Sequence, residues 1–227
     1  MYRTVLHDYR YHIKEGFKGL DLGAWVIYVC VIADGGLLTH DFERFIAYET
    51  AMLPLVFGLL LSQMYGGRMS QTFFLCPLSA EDRKNYMRTG MKLRFMMAMG
   101  LFLLLNLPTV FGGLLSFPVF GAKLVVMLVA ALSFNIHCQP RVINSRTAKR
   151  VYPFAGNYEF YNITAQVLGI CNMMLLSFWE ENEHLWELIL MTVLILAQIY
   201  VAVRMVKKFY AQIIEQAVCF ETVEQGN

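Results

Sequence analysis

The stretch LWELILMTVLILAQIYVAV, residues 185–203, carries a single charged side chain, Glu187, in nineteen positions. A helix of about 20 predominantly apolar residues is what the hydrocarbon core of a bilayer requires. Comparable runs are YETAMLPLVFGLLLSQMY (48–65), RFMMAMGLFLLLNLP (94–108) and GAKLVVMLVAALSFNI (121–136). The 227 residues are 57% hydrophobic and 16% charged, whereas soluble domains carry roughly 25% charged residues. The sequence therefore predicts an all-α integral membrane protein.

The apolar runs predict six transmembrane helices. Their approximate bounds are 20–38, 45–65, 91–107, 118–137, 161–179 and 185–203, with the third span ending at Pro108. In residues 1–19 apolar side chains recur at intervals of three and four residues, and charged, mostly basic, side chains occupy the other helix face. This pattern is typical of an amphipathic helix lying in the membrane interface. A tail helix packed on protein is the alternative interpretation. The predicted organisation is this interfacial helix (1–19), a six-span domain (20–208) and a C-terminal tail (209–227).

The distribution of basic residues predicts the orientation, because Lys and Arg accumulate in cytoplasmic loops. With the N-terminus inside, 17 of the 19 basic residues fall on the cytoplasmic side, and only Arg44 and Lys123 do not. The three predicted outer loops are short; the middle one is apolar, and the other two hold the carboxylates Asp41, Glu43, Glu180, Glu181 and Glu183. We therefore predict that both termini are cytoplasmic.

Several functional classes are disfavoured by the composition. A net charge of +2 is too small to indicate nucleic-acid binding, and the five cysteines lie far apart, without metal-ligand spacing. The sequence contains no HExxH motif, and we predict neither a catalytic residue nor a metal site. It also contains no GxxxxGK[ST] motif, so energy for transport would come from a partner ATPase or an ion gradient.

A polar segment interrupts the apolar pattern at residues 66–90. Pro77 disfavours helix at Cys76, and Ser79 followed by Asp82 predicts a helix start, which divides the segment into two helical pieces. The first piece contains the bulky side chains of residues 73–75 within a predicted cytoplasmic loop. They would either dip back into the membrane or fill a groove on a soluble partner.

The sequence MSQTFFLCPLSAEDRKNYMRTGMKLRF, residues 69–95, resembles the corresponding region of ABC-2 type permeases, the membrane subunits of a class of ABC exporters. That family commonly has a Thr-aromatic/Leu stretch, then Leu-Pro-Leu/Ile-Ser, a short charged segment and a Lys opening the third span. Here the corresponding residues are Thr72–Leu75, Pro77–Ser79, Glu81–Lys84 and Lys92. Cys76 stands where the family more often has Leu, and the distance to the Lys is longer.

The resemblance implies a permease in a bacterial cell (plasma) membrane whose segment 66–90 docks on a separate cytoplasmic ATPase. Two ATPase copies would bind ATP and Mg, a second or homologous permease would complete the exporter, and this chain would bind no cofactor and have no enzymatic activity. The partner-contacting residues would be Gln71, Thr72, Phe73, Phe74, Leu75, Pro77, Ser79, Glu81, Asp82 and Arg83. The alternatives are a non-transporting membrane scaffold or accessory subunit, and a secondary transporter.

Glu49 and Lys123 are charged residues that lie about a turn or more inside predicted spans. Glu49 and Lys123 would line a translocation path, pair across the bundle, or turn outward toward the headgroups. Uncharged polar side chains also lie in the spans, and such groups usually bond between helices. They are Asn106, Asn135, Gln166, Asn172 and Gln198.

Overall fold

Five α-helices make up most of the chain that the computed structural model describes, which is residues 42–65, 78–137, 158–177 and 185–216. They are α1 (Phe42–Tyr65), α2 (Ala80–Phe111), α3 (Phe117–His137), α4 (Tyr158–Ser177) and α5 (Leu185–Gln216). No strand occurs within these ranges. The predicted all-α class is confirmed for this part of the protein.

Four of the five helices, α2 to α5, are long and apolar enough to cross a bilayer. In α1 the apolar part is shorter and covers Phe45–Leu59. These helices indicate a multi-pass membrane protein. The predicted first span and the interfacial helix at residues 1–19 lie outside the described residues, so the six-span count stays a prediction.

The helices run alternately up and down. Asn106 of α2 contacts Thr50 of α1, while a Cβ placed on Gly58 of α1 would lie 3.7 Å from the Cβ of Ala98 in α2, so these two helices are antiparallel. α3 occupies the centre and contacts each of the other four. One end of the bundle, the Phe42 end, holds the start of α1 and the end of α2. The opposite end, the Gln216 end, holds the start of α2 and the end of α5.

The main core surrounds α3 in the middle of the bundle. Its buried members include Tyr48 of α1, Phe102 of α2, Met127 of α3 and Met173 of α4. Phe102 also stacks on Phe120, with ring centroids 6.1 Å apart. Outward-facing apolar side chains remain exposed on the helices. In water such a surface would be unfavourable, whereas lipid chains solvate it at no cost, so the pattern matches the membrane assignment.

A second core lies toward the Gln216 end. Met87 and Met91 of α2 pack there with Ile136 of α3 and with Met205 and Phe209 of α5. α5 continues as helix beyond Lys208 to Gln216, so part of the segment 209–227 that the sequence assigns to a tail is helical. The buried ring of Phe209 ties this extension to the bundle.

The expectation that Pro108 ends the third predicted span is wrong, because α2 includes Pro108 and ends at Phe111. Proline removes one backbone donor, here the one that would bond the carbonyl of Leu104. The helix is then closed by local bonds: the Gly112 N–H donates to the carbonyl of Pro108 at 2.8 Å. Three further residues and this closing bond follow the proline, so the helix accommodates it near its end.

Candidate functional site

The start of α2 adopts the capped geometry that the sequence predicts. The Ser79 hydroxyl oxygen accepts from the Asp82 backbone N–H at 3.1 Å and donates to the Asp82 carboxylate at 2.6 Å. The backbone N–H of Arg83 donates to the Ser79 carbonyl at 3.1 Å. A cap of this kind satisfies backbone donors that a helix start otherwise leaves free. The predicted start at Ala80 is therefore confirmed, with Ser79 as its cap.

Of the remaining members of the predicted ATPase contact, Glu81 and the half-buried Arg83 lie within the described residues. Glu81 is exposed and pairs with Arg88 at 3.4 Å, one of the surface ion pairs that contribute little to stability. Its carboxylate therefore stays accessible at the Gln216 end. The predicted contact residues Gln71–Leu75 and Pro77 lie outside the described residues, so their role stays a prediction.

The length of α2 connects this polar start to the membrane interior. Its 32 residues correspond to about 48 Å at about 1.5 Å per residue, against about 30 Å for a hydrocarbon core. Met87 and Met91, about two and three turns into the helix, belong to the core at the Gln216 end. The first turns of α2 are therefore connected to α3 and α5 by packed side chains.

Lys123 is fully buried and points into the bundle. Its Nζ donates to the backbone carbonyl of Ala47 in α1 at 3.0 Å. The interpretation that Lys123 turns outward to the headgroups is therefore wrong: its side chain reaches α1 before it could reach an interface. A lysine inside a membrane is costly and commonly marks a functional position.

Glu49 is also buried, and its Oε1 has no hydrogen-bond partner. It makes no ion pair with Lys123, whose Nζ donates to the Ala47 carbonyl instead. The part of these two residues in a path stays a prediction.

Asn106 bonds to another helix, as predicted, but the sequence alone did not indicate which backbone group it would serve. Pro54 lies inside α1, so the carbonyl of Thr50 lacks the donor that position 54 normally supplies. The Asn106 side-chain amide donates to that carbonyl at 2.7 Å and to the carbonyl of Phe102 at 3.0 Å. Neighbouring helices commonly satisfy carbonyls freed by proline in membranes. The available signal was a proline in one span and a carboxamide in the next.

A second carboxamide cluster links three helices near the middle of the bundle. The Asn172 amide donates to Gln198 Oε1 at 2.8 Å and to the carbonyl of Leu194 at 3.2 Å. Gln198 in turn donates to the carbonyl of Val126 in α3 at 3.2 Å. Both side chains are fully buried. The expectation that these residues bond between helices is confirmed, since the cluster joins α3, α4 and α5.

The structure corrects two further expectations about polar residues. Gln166 donates to Asn162 at 3.0 Å within α4, so this bond is not between helices as expected. Arg94 lies among the basic residues at the start of the third predicted span, where cations are expected to anchor a helix at the anionic inner leaflet, but it is buried and donates to Asn135 of α3 at 3.4 Å. Helix packing places this guanidinium on the inner face of α2. It therefore joins α2 to α3 and is not available to the lipid surface.

Two glycines allow these helices to approach closely, and they predict different responses to alanine. A Cβ at Gly58 would lie 3.2 Å from a ring carbon of Phe134, whereas one at Gly169 would lie 3.5 Å from Gln198 and 3.6 Å from Ala130. We expect Gly58→Ala to lower the free energy of unfolding by about 1 kcal/mol through overpacking, and Gly169→Ala to change it by less than about 0.5 kcal/mol. Reversible unfolding in detergent micelles measures both. A larger decrease in the free energy of unfolding for Gly169→Ala than for Gly58→Ala would contradict the helix packing described here.

Within the described residues, no group of three His, Cys, Asp or Glu side chains is arranged to hold a metal ion. Comparisons of the chain with known protein families, with curated proteins and with solved structures find no match. The features of this chain that indicate a function are therefore the residue pattern at 69–95, the geometry of α2 and the buried polar contacts.

Proposed function

We propose that this chain is the transmembrane permease subunit of an ATP-driven exporter of the ABC-2 type. It would reside in a bacterial cell membrane with both termini in the cytoplasm. The residue pattern at 69–95 supports the family, and one observation carries the mechanism: a capped, polar helix start continues without interruption through a membrane-length helix. Such a helix can transmit a push from a soluble partner into the bilayer.

In the proposed cycle, two partner ATPases bind ATP with Mg and close on one another. Their movement pushes on residues 71–75 and, through Pro77 and the Ser79 cap, on the start of α2. Because Met87 and Met91 pack against α3 and α5, the displaced helix carries these neighbours with it. Alternation between inward- and outward-open arrangements with a second permease would then move a peptide, antibiotic or lipid-like substrate outward.

The wild-type chain provides the first test. We expect co-expression with an ATPase encoded beside it to yield a complex whose ATP hydrolysis depends on the presence of this chain. A chain that forms a stable complex without altering ATP turnover under any substrate would favour the scaffold interpretation. A chain that binds no nucleotide-hydrolysing partner would overturn the proposal.

The docking segment provides a sharper test. We expect Phe73→Asp or Phe74→Asp to leave membrane insertion unchanged and to weaken binding of the ATPase about tenfold, because aromatic anchors often contribute more than 1 kcal/mol each to an interface. The measurements are the affinity of the purified permease for the ATPase and the stimulated ATP turnover.

A matched control uses the same substitution at the other end of the bundle. Phe117 is exposed at the start of α3, at the Phe42 end. Phe117→Asp should leave ATPase affinity unchanged. Equal losses in the Phe117 and Phe73 variants would show that the charge damages the membrane domain generally and would remove support for docking at residues 71–75.

A further inference from the structure

One face of α5 is apolar along most of its length and then becomes cationic. The exposed apolar side chains recur at intervals of three and four residues: Trp186, Ile189, Val193, Leu196, Tyr200 and Val203. At about 3.6 residues per turn, the side chains of Arg204 and Lys207 fall within about 60° of the mean direction of these six side chains around the axis of α5. The apolar stripe, defined by these six residues, is therefore continued by two exposed cations on one helix face.

The length of the apolar stripe matches a bilayer. Trp186 and Arg204 are eighteen positions apart, which is about 27 Å along a helix. The hydrocarbon core is about 30 Å thick, and aromatic residues such as Trp and Tyr concentrate at its two boundaries. Trp186 and Tyr200 occupy those positions. The cations accordingly lie at headgroup level, at the Gln216 end.

Arg204 and Lys208 are held in place by aromatic groups. Arg204 Nε donates to the Tyr200 hydroxyl at 3.0 Å, and its guanidinium lies 5.3 Å from that ring. Lys208 Nζ reaches toward α4, 5.9 Å from the ring of Tyr161 and 5.3 Å from that of Phe209. Cation–π contacts orient an ammonium while leaving its charge uncompensated. Among the described residues, none of Arg204, Lys207 and Lys208 forms an ion pair.

We propose that this face binds an anionic phospholipid, independently of the exporter proposal. The phosphate lies against Arg204, Lys207 and Lys208, and the acyl chains follow Leu196, Tyr200 and Val203 toward the membrane interior. A basic cluster between transmembrane helices at headgroup level is a common recognition surface for acidic lipids. A second copy of the chain is a poorer occupant, because two-fold symmetry about the membrane normal would bring each cation close to its own copy.

Lipid binding to the purified protein tests this assignment. In detergent, we expect native mass spectrometry to retain phosphatidylglycerol on the full chain in preference to phosphatidylcholine. The variant Arg204→Gln/Lys207→Gln/Lys208→Gln should lose this preference by roughly tenfold or more, since each cation near a lipid surface contributes a several-fold gain in binding. The charge-conserving variant Arg204→Lys/Lys207→Arg/Lys208→Arg should retain most of it.

Two controls distinguish the face of α5 from basic charge in general and from a soluble anion. Lys84→Gln/Arg88→Gln/Lys92→Gln removes the same charge from α2, where Arg88 already pairs with Glu81, and it should keep the preference. An equal loss in this variant would overturn a site on α5. Full displacement of phosphatidylglycerol by free glycerol phosphate would also overturn it, because the acyl chains would then contribute nothing. Cross-linking of Val193→Cys between two copies, unaffected by added phosphatidylglycerol, would assign the face to a protein contact.

Discussion

Replacing Asn106 with leucine is expected to lower the free energy of unfolding by about 2 kcal/mol, although leucine preserves the approximate shape of the side chain. The loss arises because the Thr50 carbonyl, already deprived of a donor by Pro54, would be buried without any hydrogen bond. An unsatisfied buried group costs about 1–3 kcal/mol, and interhelical bonds in membranes contribute up to about 2 kcal/mol. Reversible unfolding in mixed micelles measures the change.

A double-mutant cycle with Pro54→Ala isolates the cause. Alanine at position 54 restores a backbone donor to the Thr50 carbonyl, so Asn106→Leu should then cost only about 0.5 kcal/mol. Packing changes at Asn106 occur in both backgrounds and cancel. If Asn106→Leu were equally costly with proline and with alanine at position 54, the Asn106 amide would not be replacing the missing donor.

Replacing Lys123 with methionine is expected to have the opposite effect and to stabilise the protein by about 1–2 kcal/mol. Lys123 Nζ is fully buried and has one carbonyl partner, that of Ala47. A lysine at the centre of a membrane helix costs about 2.5–3.5 kcal/mol, the cost is lower for Lys123 because it lies about two turns from the start of α3, and methionine has a similar length without the charge. The same micelle assay measures stability, and ATP turnover of the proposed exporter complex measures activity.

The expected combination is higher stability with lower substrate-stimulated ATP turnover, because a destabilising buried charge is usually retained for function. Lys92→Met is the matched control. Lys92 is exposed about three turns into α2, so its replacement should change stability by less than about 0.5 kcal/mol. If Lys123→Met destabilised the protein, the bond to Ala47 would be a net structural contribution. If it left turnover unchanged, Lys123 would lie outside the translocation path.

Features that depend on neighbouring residues were predictable from the sequence. The cap at Ser79 follows from a hydroxyl three positions before an acidic residue, and α2 begins where this pattern places it. The apolar runs predicted α3, α4 and α5 because a membrane requires each helix to satisfy its own backbone and to present apolar side chains to lipid. These requirements act within about twenty residues of chain, so each of these helices can be recognised from its own segment of the sequence.

Pro108 shows the limit of local rules. A proline inside a helix removes one donor, and whether the helix ends there depends on what else can satisfy the backbone. In α2 the following residues close the helix with the bond from Gly112 to Pro108. The sequence shows the proline, but it does not show whether the residues that follow can satisfy the backbone of the helix.

The sequence by itself determined that the chain is apolar enough for a membrane, approximately where α1 to α5 lie, and how α2 begins. Only the tertiary structure decided that Arg94 and Lys123 turn inward, that Lys123 bonds the Ala47 carbonyl and not Glu49, and that Asn106 serves a carbonyl freed by Pro54. The physical reason is that a long polar side chain in a membrane has two low-energy solutions, the headgroup region and a partner on another helix. Which one it adopts depends on the rotation and spacing of helices distant in sequence.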